Sequence, residues 1–295
     1  MFNKEKPVKV LIDKEKCTKC GLCVSLCADY LEIKDNELQV NVNSPFGCFQ
    51  CGNCMMICPN DTIKVVGEGV KPDDVFLLDD KQPTFEDINK LFSKRRSIRN
   101  YKNQDISQDI INKILDAAST APVSIPPSEV KVLVINGRDK VQEFAEDLAG
   151  SLMKFQKVMN PFVLKIIGLF MDKVKYKMFK DFVLPLCKHI INGRRAGEDY
   201  LFYNAPAVIV FYGSELIDRE DALIASVYAE IAAESLGLGT CIIGTVPPAL
   251  ESNRRLREKY GLLKNEKIGS AFILGYPEIK YRRGIKREFK AVRYF

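Results

Sequence analysis

Eight of the ten cysteines in this chain fall into two copies of one spacing, Cys17-x2-Cys20-x2-Cys23-x3-Cys27 and Cys48-x2-Cys51-x2-Cys54-x3-Cys58, with Pro59 after the second. Thiolates this close together on tight loops wrap a cubic iron–sulfur cluster, so the spacing predicts two [4Fe–4S] centres. Zinc is the competing assignment, but zinc ligands come as Cys pairs separated by a long spacer. Four cysteines within eleven residues, twice, suit cubane clusters better. In duplicated runs of this kind, three cysteines bind one cluster and the fourth binds the other. By that rule Cys17, Cys20, Cys23 and Cys58 hold one centre, and Cys48, Cys51, Cys54 and Cys27 hold the second. Ala28 stands where a proline is common, a change that removes no ligand.

The two runs describe a unit resembling a bacterial-type ferredoxin, expected over residues 1–70. Short apolar runs precede each cluster loop (Val8–Ile12 and Leu38–Val42), and Ile63–Val66 follows the second. Gly67–Asp74 is rich in Gly, Pro and charge, which predicts a linker over 71–83. The 295 residues leave room for a second domain over 84–295.

Composition narrows the classes. No stretch reaches the roughly 18 uninterrupted apolar residues of a membrane span. Residues Met1–Pro7 lack the apolar core of a signal peptide, and clustered Cys-x-x-Cys argues for redox or metal chemistry over disulfides. The expectation is a cytoplasmic protein with no membrane span. The net charge of +6 is concentrated: residues 151–200 hold ten Lys and Arg against four Asp and Glu. Residues 8–70 hold six Lys against eight Asp and Glu. No base-stacking motif accompanies the basic segment, so no nucleic-acid partner is expected. Three accounts of 151–200 stay open. It is a basic helical insertion covering a pocket or reaching across a dimer, a docking face for an acidic carrier or anionic substrate, or a membrane-surface helix.

In the second domain, Thr84 and Asp87 form a capping-box-like start to a helix through Arg95. Ser107 caps another, with Ile110, Ile111, Ile114, Leu115 and Ala118 on its apolar face. Strands are expected at Val130–Ile135, Ala207–Tyr212, Thr240–Gly244 and Ile268–Gly275. A long helix over 220–236 ends at Gly237, and a charged helix lies near 250–259. Strands mixed with helices of this length indicate an α+β domain around one sheet.

Lys94-Arg95-Arg96-Ser97-Ile98-Arg99-Asn100-Tyr101 offers two guanidinium forks and a hydroxyl, a donor set matched to phosphate oxygens. Alone it reads equally as a solvated helix end. It is followed, however, by Ala121-Pro122, by Leu236-Gly-Leu-Gly-Thr-Cys-Ile-Ile-Gly244, and by Ala271-Phe-Ile-Leu-Gly-Tyr-Pro277. This ordered set resembles the nitroreductase family of FMN flavoproteins over about residues 84–295. The whole chain looks like a ferredoxin–nitroreductase fusion: a ferredoxin-like domain followed by a nitroreductase-like mixed α/β sheet domain.

The resemblance implies FMN, with Arg95, Ser97 and Arg99 at its phosphate. Ile242, Ile243 and Gly244 would lie against its ring, a backbone N–H directed at the redox-active edge. A later basic residue completes such sites; Arg283, Lys286 and Arg287 are candidates, with Arg287 carried forward. The resemblance also implies a homodimer with FMN at the interface. The alanines of the long helix (Ala222, Ala225, Ala229, Ala232, Ala233) suit close helix approach there, and core packing equally. Many relatives carry Pro-Ser-x-x-Asn-x-Gln-Pro-Trp after the second helix; here Pro126, Ser128 and Val130 replace Asn, Gln and Trp. Contacts at the ring edge, and with them substrate choice, differ accordingly.

The function implied is an oxidoreductase passing electrons from an external donor through two clusters to FMN, which reduces a small organic acceptor: a nitro compound, quinone or enone. NAD(P)H and a reduced donor protein are the candidate sources of electrons. The alternative is a ferredoxin–flavin relay serving a redox partner protein. No catalytic side chain is assigned. His189, the one histidine, and Cys187 read as an incidental pair, and Cys241 as a small buried residue.

Overall fold

The computed structural model describes residues 8–159, 161–215 and 219–295, apart from the side chains of residues 161 and 167. The reading of residues 1–7 as free of a signal peptide lies outside the described residues. The chain divides into two compact units: residues 1–82 with 123–129, and residues 83–122 with 130–295. The expected linker thus falls with the first unit, and so does a seven-residue excursion of the chain between the second domain's second helix and its first strand.

The first unit is built twice. β1 (Lys9–Ile12) pairs antiparallel with β4 (Ile63–Val66), and β2 (Leu31–Lys34) with β3 (Glu37–Val40). The short helices α1 (Leu22–Leu26) and α2 (Asn53–Met56) follow the cysteine loops. The repeat extends to backbone conformation. Lys19 (φ 59) and Gly21 (φ 77) in the first loop match Gln50 (φ 59) and Gly52 (φ 73) in the second. Left-handed residues of this kind turn successive N–H groups to one side, a nest suited to an anionic group. The core beneath is Leu31, Leu38 and Ile63. Val65 N–H donates to Met55 Sδ at 3.0 Å, so a buried thioether completes the hydrogen bonding of β4. Sequence patterning missed β2, whose strand is four residues long and half exposed.

In the second unit, β5 (Val130–Asn136), β6 (Ala207–Gly213), β8 (Lys267–Gly275) and β7 (Gly239–Ile242) form one antiparallel sheet in that order. The central strands β6 and β8 are apolar on both faces because helices cover both. Alternation sorts the side chains: Val208 and Val210 join a core with Phe144, Leu148 and Ile190, whereas Ala207, Ile209 and Phe211 join one with Ile111, Ile114 and Ala229.

On one face lie α3 (Phe85–Lys94), α4 (Gln108–Ser119) and α9 (Arg219–Ser235). α3 is capped by Thr84, whose Oγ1 accepts from Asp87 N–H at 3.1 Å, and α4 by Ser107. The alanines Ala222, Ala225, Ala229 and Ala233 are buried within the subunit, which decides for core packing. A Cβ on Gly269 of β8 would meet Ala222 Cβ at 2.5 Å, so nothing larger fits there. The other face of α9 exposes Leu223, Ile224, Val227 and Tyr228.

On the opposite face of the sheet run α5 (Arg138–Val158), α8 (Leu184–Arg195), α10 (Val246–Glu251) and α11 (Arg254–Lys259). α6 (Pro161–Phe170) and α7 (Lys173–Met178) lie between α5 and α8 in the chain, and a π turn, Phe179–Val183, joins α7 to α8. The basic segment is therefore helical, but residue 151 falls inside the 21-residue α5, which begins at Arg138. Among the described residues no helix is long and apolar enough to cross a membrane.

Candidate functional site

The cysteines of the first unit face two cavities. One is lined by Cys17, Cys20, Cys23 and Cys58, the other by Cys27, Cys48, Cys51 and Cys54. Each set takes its fourth member from the other repeat, as the spacing rule requires. Among the described residues no three His, Cys, Asp or Glu side chains converge on a point that could hold a single metal ion. The thiols ring a space instead, the arrangement a multi-atom cluster needs.

Electrostatics point the same way. Burial pushes the Cys54 thiol up to about 12, with Cys48, Cys51 and Cys27 adding to the rise. Burial likewise raises Cys27, helped by Cys51 and Cys48. Thiols that oppose each other's ionisation stay protonated, and a bound cationic centre would favour their thiolate forms. Cys58 differs: burial raises it, but hydrogen bonds from the Thr62 side chain and backbone outweigh burial and bring it down. Thr62 N–H lies 3.3 Å from Cys58 Sγ, and Gln50 N–H lies 3.4 Å from Cys48 Sγ. The donor set fits a cubane in each cavity.

In the second unit the chain leaves α3 at Arg95 and runs extended beside β7. Ser97 bridges Thr240 in parallel, and Ile98 N–H donates to the Thr240 carbonyl at 2.9 Å. This isolated parallel bridge lies outside the four antiparallel strands. Alternation puts Arg95, Ser97 and Arg99 on one side and Ile98 in the core. Ile98 packs so closely that a Cβ on Gly239 would lie 2.4 Å from its Cγ1. Further on, Tyr101 Oη donates to the Ile98 carbonyl at 2.6 Å, and Lys102 N–H to the Tyr276 carbonyl at 2.9 Å.

Arg99 and the Ile242-Ile243-Gly244 segment line one cavity of about 800 Å³. Arg99 also lies over the Tyr203 ring, 5.7 Å from its centroid. Ile243 N–H is taken by the Ala271 carbonyl at 2.8 Å. Gly244 is exposed, and a Cβ there would meet nothing within 4 Å. Beside it, Thr245 Oγ1 is buried without a hydrogen-bond partner. A backbone without a side chain and an orphaned hydroxyl, facing the same space as an arginine, fit a flat polar-edged ligand. FMN is such a ligand.

Arg95 pairs with Glu230 at 3.7 Å, and Glu230 accepts from Thr240 Oγ1 at 2.7 Å. Glu230 is buried on α9; burial pushes its carboxyl up, while Thr240 and Arg95 oppose the shift. Glu234, one turn on, is also raised by burial, against Arg95, Lys94 and Arg96. Sequence reasoning missed both. Their signal was two acids four apart on an otherwise alanine-rich face.

Arg287 is exposed in the irregular tail after β8. The tail approaches the arginine segment at Gly284, where a Cβ would lie 3.6 Å from Arg96 Nη2. Lys286 pairs with Glu288 at 2.8 Å. Cys241 is buried near Ser97, and Cys187 lines the cavity; His189 stacks on Tyr200 with centroids 4.1 Å apart. Sequence reasoning also missed the cavity's aromatic wall of Phe155, Phe179, Phe182 and Tyr200, because α5, the π turn and the turn after α8 supply it from well-separated positions.

Comparison with known proteins agrees with this geometry. Residues 92–276 match the nitroreductase family, and residues 9–71 match the 4Fe-4S dicluster domain. The chain is 28% identical over 160 residues to an FMN reductase [NAD(P)H] of Bacillus subtilis, covering 54% of this chain and 55% of that one. It is 24% identical over 174 residues to an NADPH-dependent oxidoreductase of Staphylococcus aureus, covering 58% of each. The chain thus spans little more than half the length of these relatives. A nitroreductase with bound FMN from Bacteroides fragilis has a similar fold, with a TM-score of 0.53 at 19% identity, covering 70% of this chain and 98% of that one. One from Desulfitobacterium hafniense gives 0.50 at 20% identity, over the same shares. The chain belongs to the nitroreductase family and carries a 4Fe-4S dicluster domain ahead of the family's fold.

Proposed function

We propose that this chain is an FMN- and iron–sulfur-dependent oxidoreductase that reduces a small organic acceptor. The observation that carries the reading is the parallel pairing of the arginine segment with β7. It sets Arg99 and the Ile242–Gly244 backbone on one cavity. When bound, the clusters supply single electrons and FMN converts them to two-electron delivery.

The residues have separable tasks. Arg95, Ser97 and Arg99 bind phosphate, with Glu230 and Thr240 fixing Arg95 from beneath. Ile243 N–H is committed to the sheet, so Gly244 N–H would be the backbone donor left for the ring edge of a bound flavin. Phe155, Phe179 and Phe182 exclude water from the space where an acceptor sits. The eight cysteines hold the clusters. A cavity of about 800 Å³ favours a small molecule over a protein as the electron acceptor.

Both NAD(P)H and a reduced carrier protein are donors to test. The names of the Bacillus and Staphylococcus relatives carry NAD(P)H and NADPH. The homodimer implied by the family is supported by the exposed apolar face of α9 and by Phe85, Ile88 and Phe92 on α3.

The test is anaerobic purification with iron, sulfide and flavin analysis, then separate titration with NADH, NADPH and reduced ferredoxin. About eight irons and one FMN per chain are expected from two cubanes and one flavin. Reduced protein should be reoxidised under argon by quinones, nitroaromatics or enones. Protein without flavin, or reduced protein inert to all three classes, overturns the reading.

A further inference from the structure

The helical hairpin α6–α7 exposes large apolar side chains at its tip. Leu169 is 81% exposed, Phe170 87%, Val174 76% and Met178 58%. The hairpin is built rather than frayed: the Tyr176 ring lies 3.1 Å from where a Gly168 Cβ would be, and Asp172 accepts from Val174 N–H at 2.9 Å to cap α7. Around this tip the charge is one-sided. Residues 161–180 hold five lysines (165, 173, 175, 177 and 180) against a single acid, Asp172.

The apolar stripe also leads inward. Val174, Met178 and Phe182 recur every fourth residue and are exposed; Leu186 and Ile190 continue the spacing and line the 800 Å³ cavity. Phe182 belongs to both sets, 62% exposed and part of the cavity wall. On a regular helix a four-residue spacing drifts around the axis. The π turn Phe179–Val183, with its wider turn, counters that drift, so the stripe stays on one side from tip to cavity.

We propose that this tip seats in the interfacial layer of an anionic lipid bilayer, placing the rim of the cavity at the membrane. The acceptor is then an apolar molecule dissolved in the lipid; this last step rests on the function proposed above. Lysines around an apolar ridge complement anionic headgroups and the acyl boundary beneath them. An acidic protein would pair the lysines but leave Leu169 and Phe170 in water. A second copy docked tip to tip would bring like charges together. Among the lining residues the single charged side chain is Arg99, consistent with an uncharged acceptor.

The test is flotation of the cofactor-loaded full chain with phosphatidylserine–phosphatidylcholine vesicles, against phosphatidylcholine alone. The chain should float with the anionic vesicles on the order of tenfold better, less so at high salt. Leu169→Ser with Phe170→Ser should lose flotation roughly tenfold while iron, flavin content and Tm hold. Lys173→Glu with Lys175→Glu should lose the preference for anionic lipid. A wild-type chain that stays in the aqueous fraction at low salt overturns the proposal, as does undiminished flotation of the serine variant. So does a chain that never floats but turns from dimer to monomer, by light scattering, on the serine change. Flotation is read without turnover: a chain that floats yet reduces nothing sinks the functional reading, not the membrane contact.

Discussion

Glu230 concentrates the chemistry of the second unit at one side chain. It accepts from Thr240 Oγ1, pairs with Arg95, and is held above the ordinary carboxylate range by burial. A carboxyl raised in the folded state keeps a proton that the unfolded chain has released. The stability it contributes is full below the unfolded value and is lost as pH rises through the folded one. Glu230→Gln keeps an acceptor for Thr240 and removes the titration. The Tm of the variant minus that of wild type should therefore widen as pH rises above the ordinary glutamate value; a flat difference by calorimetry excludes the linkage. Ser97→Ala and Arg99→Ala test the phosphate assignment. A hydrogen bond to a charged group is worth about 1.5–3 kcal/mol, so each should weaken FMN by roughly ten- to a hundredfold, read from flavin fluorescence on release. Unchanged retention in both variants removes these residues from the site.

Among the elements, the extended run beside β7 is what the arginine motif alone could not announce. Its side-chain types were legible as a phosphate set, but its partner strand lies some 140 residues on and only packing joins them. Gly239→Val tests that join without touching a charge. The new side chain must displace Ile98, and FMN retention should fall together with Tm. A variant that loses Tm but holds FMN as tightly as wild type separates the strand from the site. Thr84→Ala removes the cap of α3, which delivers the chain to Arg95, and should cost about 1 kcal/mol in denaturant unfolding. The caps at Thr84 and Ser107, the long apolar strands and the helix stop at Gly237 were all legible because each is a local signal. α5 was not: its buried residues Val141, Phe144 and Leu148 are separated by charged ones, and no cap marks its start at Gly137. Arg287 illustrates the converse. The family resemblance made it a candidate, and it lies exposed in the irregular tail after β8.

For the molecule as a whole, the cofactor-bearing parts differ in how much the sequence could reveal. The two sets of cysteines that line the cavities were readable from the sequence, because the rule for duplicated runs groups three thiols of one loop with the fourth of the other. The cavity of the second unit needed three dimensions, since its walls come from α5, the π turn, α8 and β7. The cysteine assignment makes a directional prediction. Cys58→Ser should damage the centre bound by Cys17, Cys20 and Cys23 while leaving the other spectroscopically intact, and Cys27→Ser should do the reverse. Electron paramagnetic resonance of the reduced variants distinguishes the two centres; damage confined to the mutated repeat's own loop contradicts the exchange. That exchange has a further consequence. Neither repeat is self-sufficient, for each lends the piece without which its twin stays open on one corner. Loss of either repeat would therefore leave neither cavity with four thiols.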